Sequence, residues 1–403
     1  MKKIVTFLLV LAVLSSFCVV GYSDSEAKTG ELEFKNGEFK ILHITDPQDD
    51  AHPAYDLINF IKLAIEETQP DLIVFTGDMV EDSRGADKGV DDEDTREGVC
   101  VNDENDELIY DKTLENTKIA CDAVFSIVND AKIPFVTAQG NNDHSCGIKN
   151  EDWLKIYADY EYCLTSDMSN DKDDRIDFNT VIMGSDGKPC FNIWCMDTGK
   201  KGVNNDQIKW YKEKSSELKE QNGGKVIPSF VFQHIFTSDI GNLMKPVPIW
   251  ADGAMYKDLF FYRLNRDVAT GNAVEVSETP GKTSKQFRAW KKQGDVLGAY
   301  FGHEHYEGYT GTYKGIELGL TYGCEFAKDG PYGVRVFTLY EDDIENYDNE
   351  ILVYNGSVLT GDAEFAPLVQ EELPVYATRA EKIQAYINNF KTNIVVFFNE
   401  LFD

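Results

Sequence analysis

The chain is 403 residues long, 42% hydrophobic and 12% aromatic, enough apolar material for one large core or two smaller ones, and this excludes a wholly disordered chain. Its 70 acidic against 39 basic residues leave a formal net charge of -31, which argues against long nucleic acid or an anionic membrane surface as a partner.

The N-terminus carries Lys2-Lys3, the apolar run Ile4 to Leu14, then small residues at Ser15, Ser16, Gly21 and Ser23, the order of a secretory signal. Residues 1–23 are therefore expected to be a signal peptide and residues 24–36 a polar linker. The mature chain is expected to be secreted, periplasmic or otherwise extracytoplasmic, with no integral membrane span after cleavage; an uncleaved anchor is the alternative. Loss of Cys18 with the signal would leave seven cysteines, so at least one thiol stays unpaired even where disulfides form.

Phe39 to Thr45 reads as a buried strand, with His43 as a satisfied core histidine, and it stops at Asp46-Pro47-Gln48. Leu57, Ile61, Ala64 and Ile65 recur at helical spacing up to Gln69-Pro70, and the next strand, Asp71 to Thr76, delivers Gly77-Asp78. Residues 81–111 form an acidic insert, including Asp91-Asp92-Glu93-Asp94, that reads as a solvated loop without the ligand spacing of a calcium loop. Thr113 to Lys132 is a predicted helix with Cys121 among its core residues, and the strand Ile133 to Ala138 ends in Gln139-Gly140-Asn141-Asn142-Asp143-His144.

Residues 151–179 read as a helix followed by a loop, and Phe191 to Met196 as a strand finishing at Asp197-Thr198-Gly199. Ile208, Tyr211, Ser215 and Leu218 mark a helix terminated by Asn222-Gly223-Gly224, and Val226 to Phe236 is a strand carrying His234 near its end. The aromatic-rich stretch 237–294 is expected to supply substrate-shaping loops. Val296 to Phe301 is a strand closed by Gly302-His303-Glu304-His305, and the short runs from Tyr309 to Tyr354 read as antiparallel strands. Residues 346–403 form a C-terminal strand and helical extension with Ile383, Tyr386, Ile387 and Phe390, ending in a run, Ile394 to Phe398, too short to span a bilayer.

Polar clusters therefore recur where apolar strands end, the edge at which open α/β sheets collect ligands. Asp46, Gln48, Asp78, Asn141, His234, His303 and His305 mix oxygen and nitrogen donors, a set that suits Mn, Fe or Zn better than Ca. Asp78 carries two oxygens and can bridge two cations, and such a pair can activate a hydroxide and screen the charge of a phosphate.

The ordered series Asp46-Pro47-Gln48, Gly77-Asp78, Gly140-Asn141-Asn142-Asp143, His234 and Gly302-His303-Glu304-His305 resembles the five blocks of the calcineurin-like metallophosphoesterases, over residues 39–340. The stretches around Val231 to Ile235 and Tyr309 to Ile316 are most similar to the purple-acid-phosphatase-like branch. The resemblance implies an α/β four-layer sandwich, two mixed β-sheets flanked by helices, over residues 37–345. It also implies two divalent or trivalent ions: Asp46, Asp78 and His305 on the first, Asp78, Asn141, His234 and His303 on the second. A small phosphorylated substrate would be hydrolysed by attack of a hydroxide held at that site.

Two positions depart from the family pattern. Gln48 stands where the first block ends in histidine, and Asn142 stands where the third block carries the histidine that protonates the leaving group. An amide gives up no proton near neutral pH, so either His144 or His52 substitutes or the substrate has an acidic leaving group, with Asp78 and Asn141 the other catalytic candidates. A phosphate mono- or diesterase, a catalytically weakened binding protein and a small-nucleotide phosphodiesterase all fit this pattern.

Overall fold

The computed structural model describes residues 32–82, 98–169, 175–326 and 330–361, with Ile387 and Lys391 in addition. The chain opens with β1 (Glu38–Ile44), α1 (Tyr55–Thr68), β2 (Leu72–Phe75), α2 (Tyr110–Asp130) and β3 (Phe135–Thr137), a unit whose strands run parallel. Short helices α3 (Asn141–Ser145) and α4 (Asn150–Ala158) lead to β4 (Phe178–Met183), β5 (Pro189–Met196), α5 (Asn205–Gln221) and β6 (Ser229–Gln233). An excursion follows, with a 3-10 turn over Ser238–Leu243 and the short strands β7 (Met244–Pro246), β8 (Met255–Lys257), β9 (Phe260–Leu264) and β10 (Ala269–Asn272). Then come α6 (Lys285–Gln293), β11 (Val296–Phe301), β12 (Gly308–Tyr313), β13 (Ile316–Leu320), β14 (Tyr332–Tyr340), β15 (Asp348–Tyr354) and β16 (Leu359–Gly361).

Two large mixed sheets result, one of six strands in the order β16-β15-β14-β1-β2-β3 and one of seven in the order β10-β12-β13-β11-β6-β5-β4; β7, β9 and β8 make a small third sheet. Alternation along the strands decides what each face buries. Leu42, Ile44, Ile73 and Phe75 point outward into a core shared with α1, α2 and α4, through Phe60, Val124, Phe125 and Trp153. Their neighbours Ile41, Leu72 and Val74 point inward and meet Ile193, Phe230, Phe232 and Tyr300 of the second sheet. On the far face of that sheet Trp194, Val231, Ala299 and Phe301 pack against Tyr211 of α5 and Phe287 and Trp290 of α6. Helices, sheet, sheet and helices are thus stacked in four layers, as expected. Each fully buried Leu- or Phe-sized side chain contributes about 1.5–3 kcal/mol, so both sheets are held from two sides.

Several local expectations change. α6 is an added element inside the stretch read as loops: Ser284 caps its first turn by accepting from Phe287 N–H at 3.0 Å, and Gly294 ends it at φ 75°. Only Phe287, Ala289 and Trp290 give it an apolar stripe, too few to stand out among the surrounding aromatics. β4 is also added, as an edge strand paired antiparallel with β5, and β6 is shorter than its apolar run. The acidic insert is solvated only in part: Glu81, Asp82 and Val99 are buried, whereas residues 102–108 are exposed, and residues 83–97 lie outside the described residues. β15 and β16 extend the first sheet beyond β14. The signal peptide, most of the linker, and Ile383, Tyr386, Phe390 and Ile394 to Phe398 also lie outside the described residues. Among the described residues no helix is long and apolar enough to cross a membrane, and the seven cysteines are free thiols, Cys121 in the core.

Candidate metal centre

The carboxyl ends of β1, β2, β3, β6 and β11 meet at one edge, and each hands over one or two of the predicted ligands. The chain must turn there at once, and it does so at unusual dihedrals: Asp46, Gln48, Asp78 and His303 all have left-handed φ, at 51°, 44°, 46° and 75°. Non-glycine residues in that region each cost on the order of 1–3 kcal/mol and persist only where the surroundings impose them. Backbone bonds impose them here, from Asp46 N–H to Gly77 O at 3.2 Å and from Gln48 N–H to Asp78 O at 2.9 Å.

The glycine of each block has a steric reason. A Cβ on Gly77 would lie 2.3 Å from the Gly140 nitrogen, and one on Gly302 1.9 Å from Thr45 Oγ1 and 2.7 Å from Asp46 Oδ2. Asp143 staples the loops together by accepting from Met79 N–H and Gly140 N–H, both at 2.9 Å. These close approaches bring three strand ends within reach of one point.

At that point His234 Nε2 lies 3.2 Å from Asp78 Oδ2, 3.1 Å from Asn141 Oδ1 and 3.2 Å from His303 Nδ1. Donors around a common ion at ~2.0–2.2 Å stand roughly 3.0–3.4 Å from one another, so these separations fit a shared cation. Ligand atoms of Asp78, His234 and His303 are all within 4.8 Å of one another. Beside them, Asp46 Oδ1 lies 3.3 Å from His305 Nε2 and has no hydrogen-bond partner among the described residues. Its other oxygen is held by Thr45 Oγ1 at 2.7 Å and by His303 N–H at 3.0 Å. A buried carboxylate oxygen whose one close polar neighbour is an imidazole suits a metal ligand. Two imidazoles, a carboxylate and an amide oxygen around one point suit a first-row transition metal.

The outer contacts fix the rings. His234 Nδ1 is 2.8 Å from Thr76 O, so that nitrogen carries the proton and Nε2 faces the donors. His305 Nδ1 is bonded to Glu325, which leaves its Nε2 toward Asp46.

The electrostatics of the cluster follow from its buried acids. Burial alone would lower His234, but Asp78 and Asp46 beside it raise it to about 9. Burial likewise opposes a proton on His305, and Asp46 and Glu325 outweigh it, bringing the ring to about 10. Burial would raise Asp46, yet the facing imidazoles His234 and His305 hold it well below the usual carboxylate range. His303 is lowered by burial and then by the charge of His234. Asp143 is pushed up to about 7 by burial and by Asp78. The site therefore attracts positive charge, and two of its imidazoles hold protons at the positions cations would take.

Of the predicted residues, Asp46, Asp78, Asn141, His234, His303 and His305 come together. Gln48 is buried beside them, with its Nε2–H donated to Glu81 Oε2 at 2.8 Å. His144 stands one turn along α3 from Asn141, with Nε2 2.7 Å from Asp197 Oδ1. Asn142 is buried, its N–H donated to Asp78 Oδ1 at 2.7 Å. His43 is the core histidine expected, its two ring nitrogens 2.7 and 3.0 Å from Thr76 Oγ1 and Thr321 Oγ1. Sequence reasoning missed Glu325 and the role of Asp197. Glu325 sits in a loop with no motif, whereas Asp197 carried the same signal as the ligands, a carboxylate at a strand end.

The layered sheets and the donor set at their edge define a metallophosphatase fold. The family model for calcineurin-like phosphoesterases matches residues 39–307. Among curated proteins, the chain is 23% identical over 347 residues to "Probable inactive purple acid phosphatase 14" of Arabidopsis thaliana, covering 75% of each chain. It is 22% identical over 368 residues to "Probable inactive purple acid phosphatase 29" of the same plant, covering 81% of this chain and 82% of that one. Among solved structures it is similar to a dimetal phosphatase from Danio rerio, with a TM-score of 0.44 and 11% identity over 80% of this chain and 98% of that one. The chain belongs to the calcineurin-like phosphoesterase family.

Proposed function

We propose that this chain is an extracytoplasmic phosphoesterase that holds two divalent or trivalent cations of the Mn, Fe or Zn class and hydrolyses small phosphate mono- or diesters. The observation that carries the reading is the convergence of Asp78, Asn141 and His303 on His234 Nε2 at 3.1–3.2 Å, with Asp46 and His305 alongside. In this reading Asp78, Asn141, His234 and His303 hold one cation, and Asp46, Asp78 and His305 the other. Bound cations supply Lewis acidity to an attacking water and positive charge to the phosphate. The protein keeps its imidazoles in the binding tautomer through the Thr76 carbonyl and Glu325, and keeps Asp78 in place through Asn142 N–H. A net charge of -31 turns away polyanions and leaves small esters as the substrate class. Location outside the cytoplasm rests on the signal-like order of residues 1–23.

The test is metal analysis with a panel of aryl and alkyl phosphate mono- and diesters, on protein loaded with Mn, Zn or Fe. Asp78→Asn removes a ligand charge from both cations and is expected to abolish turnover; unchanged turnover with unchanged metal content rejects the reading. A second reading, a catalytically weakened member that binds a partner, is favoured by Gln48 and Asn142 and by the word inactive in the names of both plant relatives. It predicts stoichiometric metal with no turnover across the panel.

A further inference from the structure

Asn142 removes the proton donor from the third block, yet leaving oxygens of high basicity need one. Three histidines stand outside the ligand set. His43 is sealed in the core between two threonines. His52 is 79% exposed, 3.8 Å from Asp50. His144 differs from both: its side chain is only 18% exposed, and it lies three residues after Asn141, hence on the same face of α3.

The partner of His144 is built into the fold. Asp197 is fully buried at the end of β5; its Oδ1 accepts from Gly199 N–H at 2.8 Å and Arg175 Nη1–H at 3.3 Å, and its Oδ2 from Ile176 N–H at 3.1 Å. Thr198 Oγ1 in turn accepts from Ile235 N–H at 3.2 Å, directly after His234. Both members of the pair are thus tied to elements that carry ligands, His144 to Asn141 through α3 and Asp197 to His234 through Thr198 and Ile235. Nε2 of His144 is committed to Asp197 at 2.7 Å, and Nδ1 has no hydrogen-bond partner among the described residues. A carboxylate that fixes one ring nitrogen and leaves the other open is the arrangement of an oriented acid–base histidine.

We propose that His144, positioned by Asp197, takes over proton delivery to the leaving oxygen from position 142; the inference rests on the phosphoesterase reading. As the bond between phosphorus and the leaving oxygen breaks, its electron pair stays on that oxygen, which takes the proton from His144 Nδ1. Water provides the oxygen that joins phosphorus and gives one proton to solvent, and the ring regains its proton from solvent. Asp197 is a positioning residue that touches neither substrate nor cation.

The experiment compares 4-nitrophenyl and phenyl esters, of whichever class the metal-loaded wild type hydrolyses, in His144→Gln, Asp197→Asn and His52→Gln. His144→Gln is expected to lower kcat by ~10²-fold or more for the phenyl ester, whose leaving group needs the proton, and by less than ~10-fold for the nitrophenyl ester. Asp197→Asn should show the same leaving-group dependence at smaller size, and His52→Gln none. In parallel, calorimetric titration of metal-loaded protein with orthophosphate is expected to show about tenfold weaker binding in His144→Gln, from loss of one charge-assisted hydrogen bond. Equal losses on both esters, unchanged phosphate affinity, or selective loss in His52→Gln overturns the inference. A wild type that binds phosphate but turns over no ester rejects the phosphoesterase reading, and the calorimetric comparison then decides by itself whether His144 faces the phosphate.

Discussion

Gly140→Ala tests the geometry of the site without touching a ligand. The added Cβ would lie 2.2 Å from Asp78 Oδ1, 2.6 Å from the Asp78 backbone nitrogen and 2.8 Å from His234 Cγ. Ordinary contacts of this kind are roughly 3.5 Å, so the groups must part by about 1 Å. The Asp78 nitrogen is main chain at a left-handed residue and cannot swing away, and rotation of the Asp78 side chain would break its 2.7 Å bond from Asn142 N–H. Gly140 itself has φ -104°, which alanine adopts freely, so the effect is steric and not conformational. Overpacking of this kind costs about 1–3 kcal/mol of folding stability. A donor displaced by ~1 Å from a bond of ~2.1 Å no longer bonds, and cation affinity should fall on the order of 10²-fold. Calorimetric titration with Zn2+ or Mn2+, beside thermal unfolding of the metal-free proteins, reads both effects. A folded Gly140→Ala protein with wild-type cation affinity would refute the convergence of Asp78 and His234 on one ion.

Glu325→Gln leaves His305 with a neutral partner, and should weaken cation binding ~10–100-fold; metal retained after gel filtration measures it. Because His234 titrates at about 9 and His305 at about 10, both carry protons at pH 7.5, and a cation must displace them. Apparent affinity should therefore rise steadily from pH 6 to 9, with proton release visible as a dependence of the binding heat on buffer ionisation; affinity flat in pH would contradict the assignment. The sign for the metal-free fold is opposite. Both histidines have folded values raised above the ordinary 6.5, so their contribution to stability is complete below that pH and fades as pH rises through 9–10, which thermal melts at pH 6.5 and 10 would register.

Much of this was legible in the sequence because the signal is local. A glycine and a donor at the end of an apolar run specify a tight turn and what it presents, and Gly77-Asp78 and Gly302-His303 are read that way without knowledge of the fold. The four layers were an implication of the family resemblance, and the structure shows the alternation that builds them, with Ile73 and Phe75 on one face and Leu72 and Val74 on the other. α6 stayed hidden because only three of its nine residues, Phe287, Ala289 and Trp290, are apolar, and they sit within a stretch already rich in aromatics. Glu325 stayed hidden because its contact with His305 spans a loop with no pattern of its own, and the burial of Glu81 because a carboxylate is assigned to water until a partner such as Gln48 is placed beside it.

The two departures from the family pattern act on separable functions. Gln48 donates its amide to Glu81, and Asp78, Asn141 and His303 still meet at His234 Nε2 with glutamine at position 48. Asn142 keeps its structural duty, since the bond to Asp78 Oδ1 comes from its backbone N–H and any residue there would supply it. Only the side-chain chemistry of that position is lost. Asp197 is buried with four hydrogen bonds, three from Arg175, Ile176 and Gly199 and the fourth shared with His144 on α3. A purely structural role for His144 as a partner of the buried carboxylate would lower turnover of both esters alike, whereas proton delivery would lower the phenyl ester more. That asymmetry is why the leaving-group dependence of His144→Gln, rather than turnover alone, separates an enzyme with a relocated proton donor from a binding protein that has kept its metals.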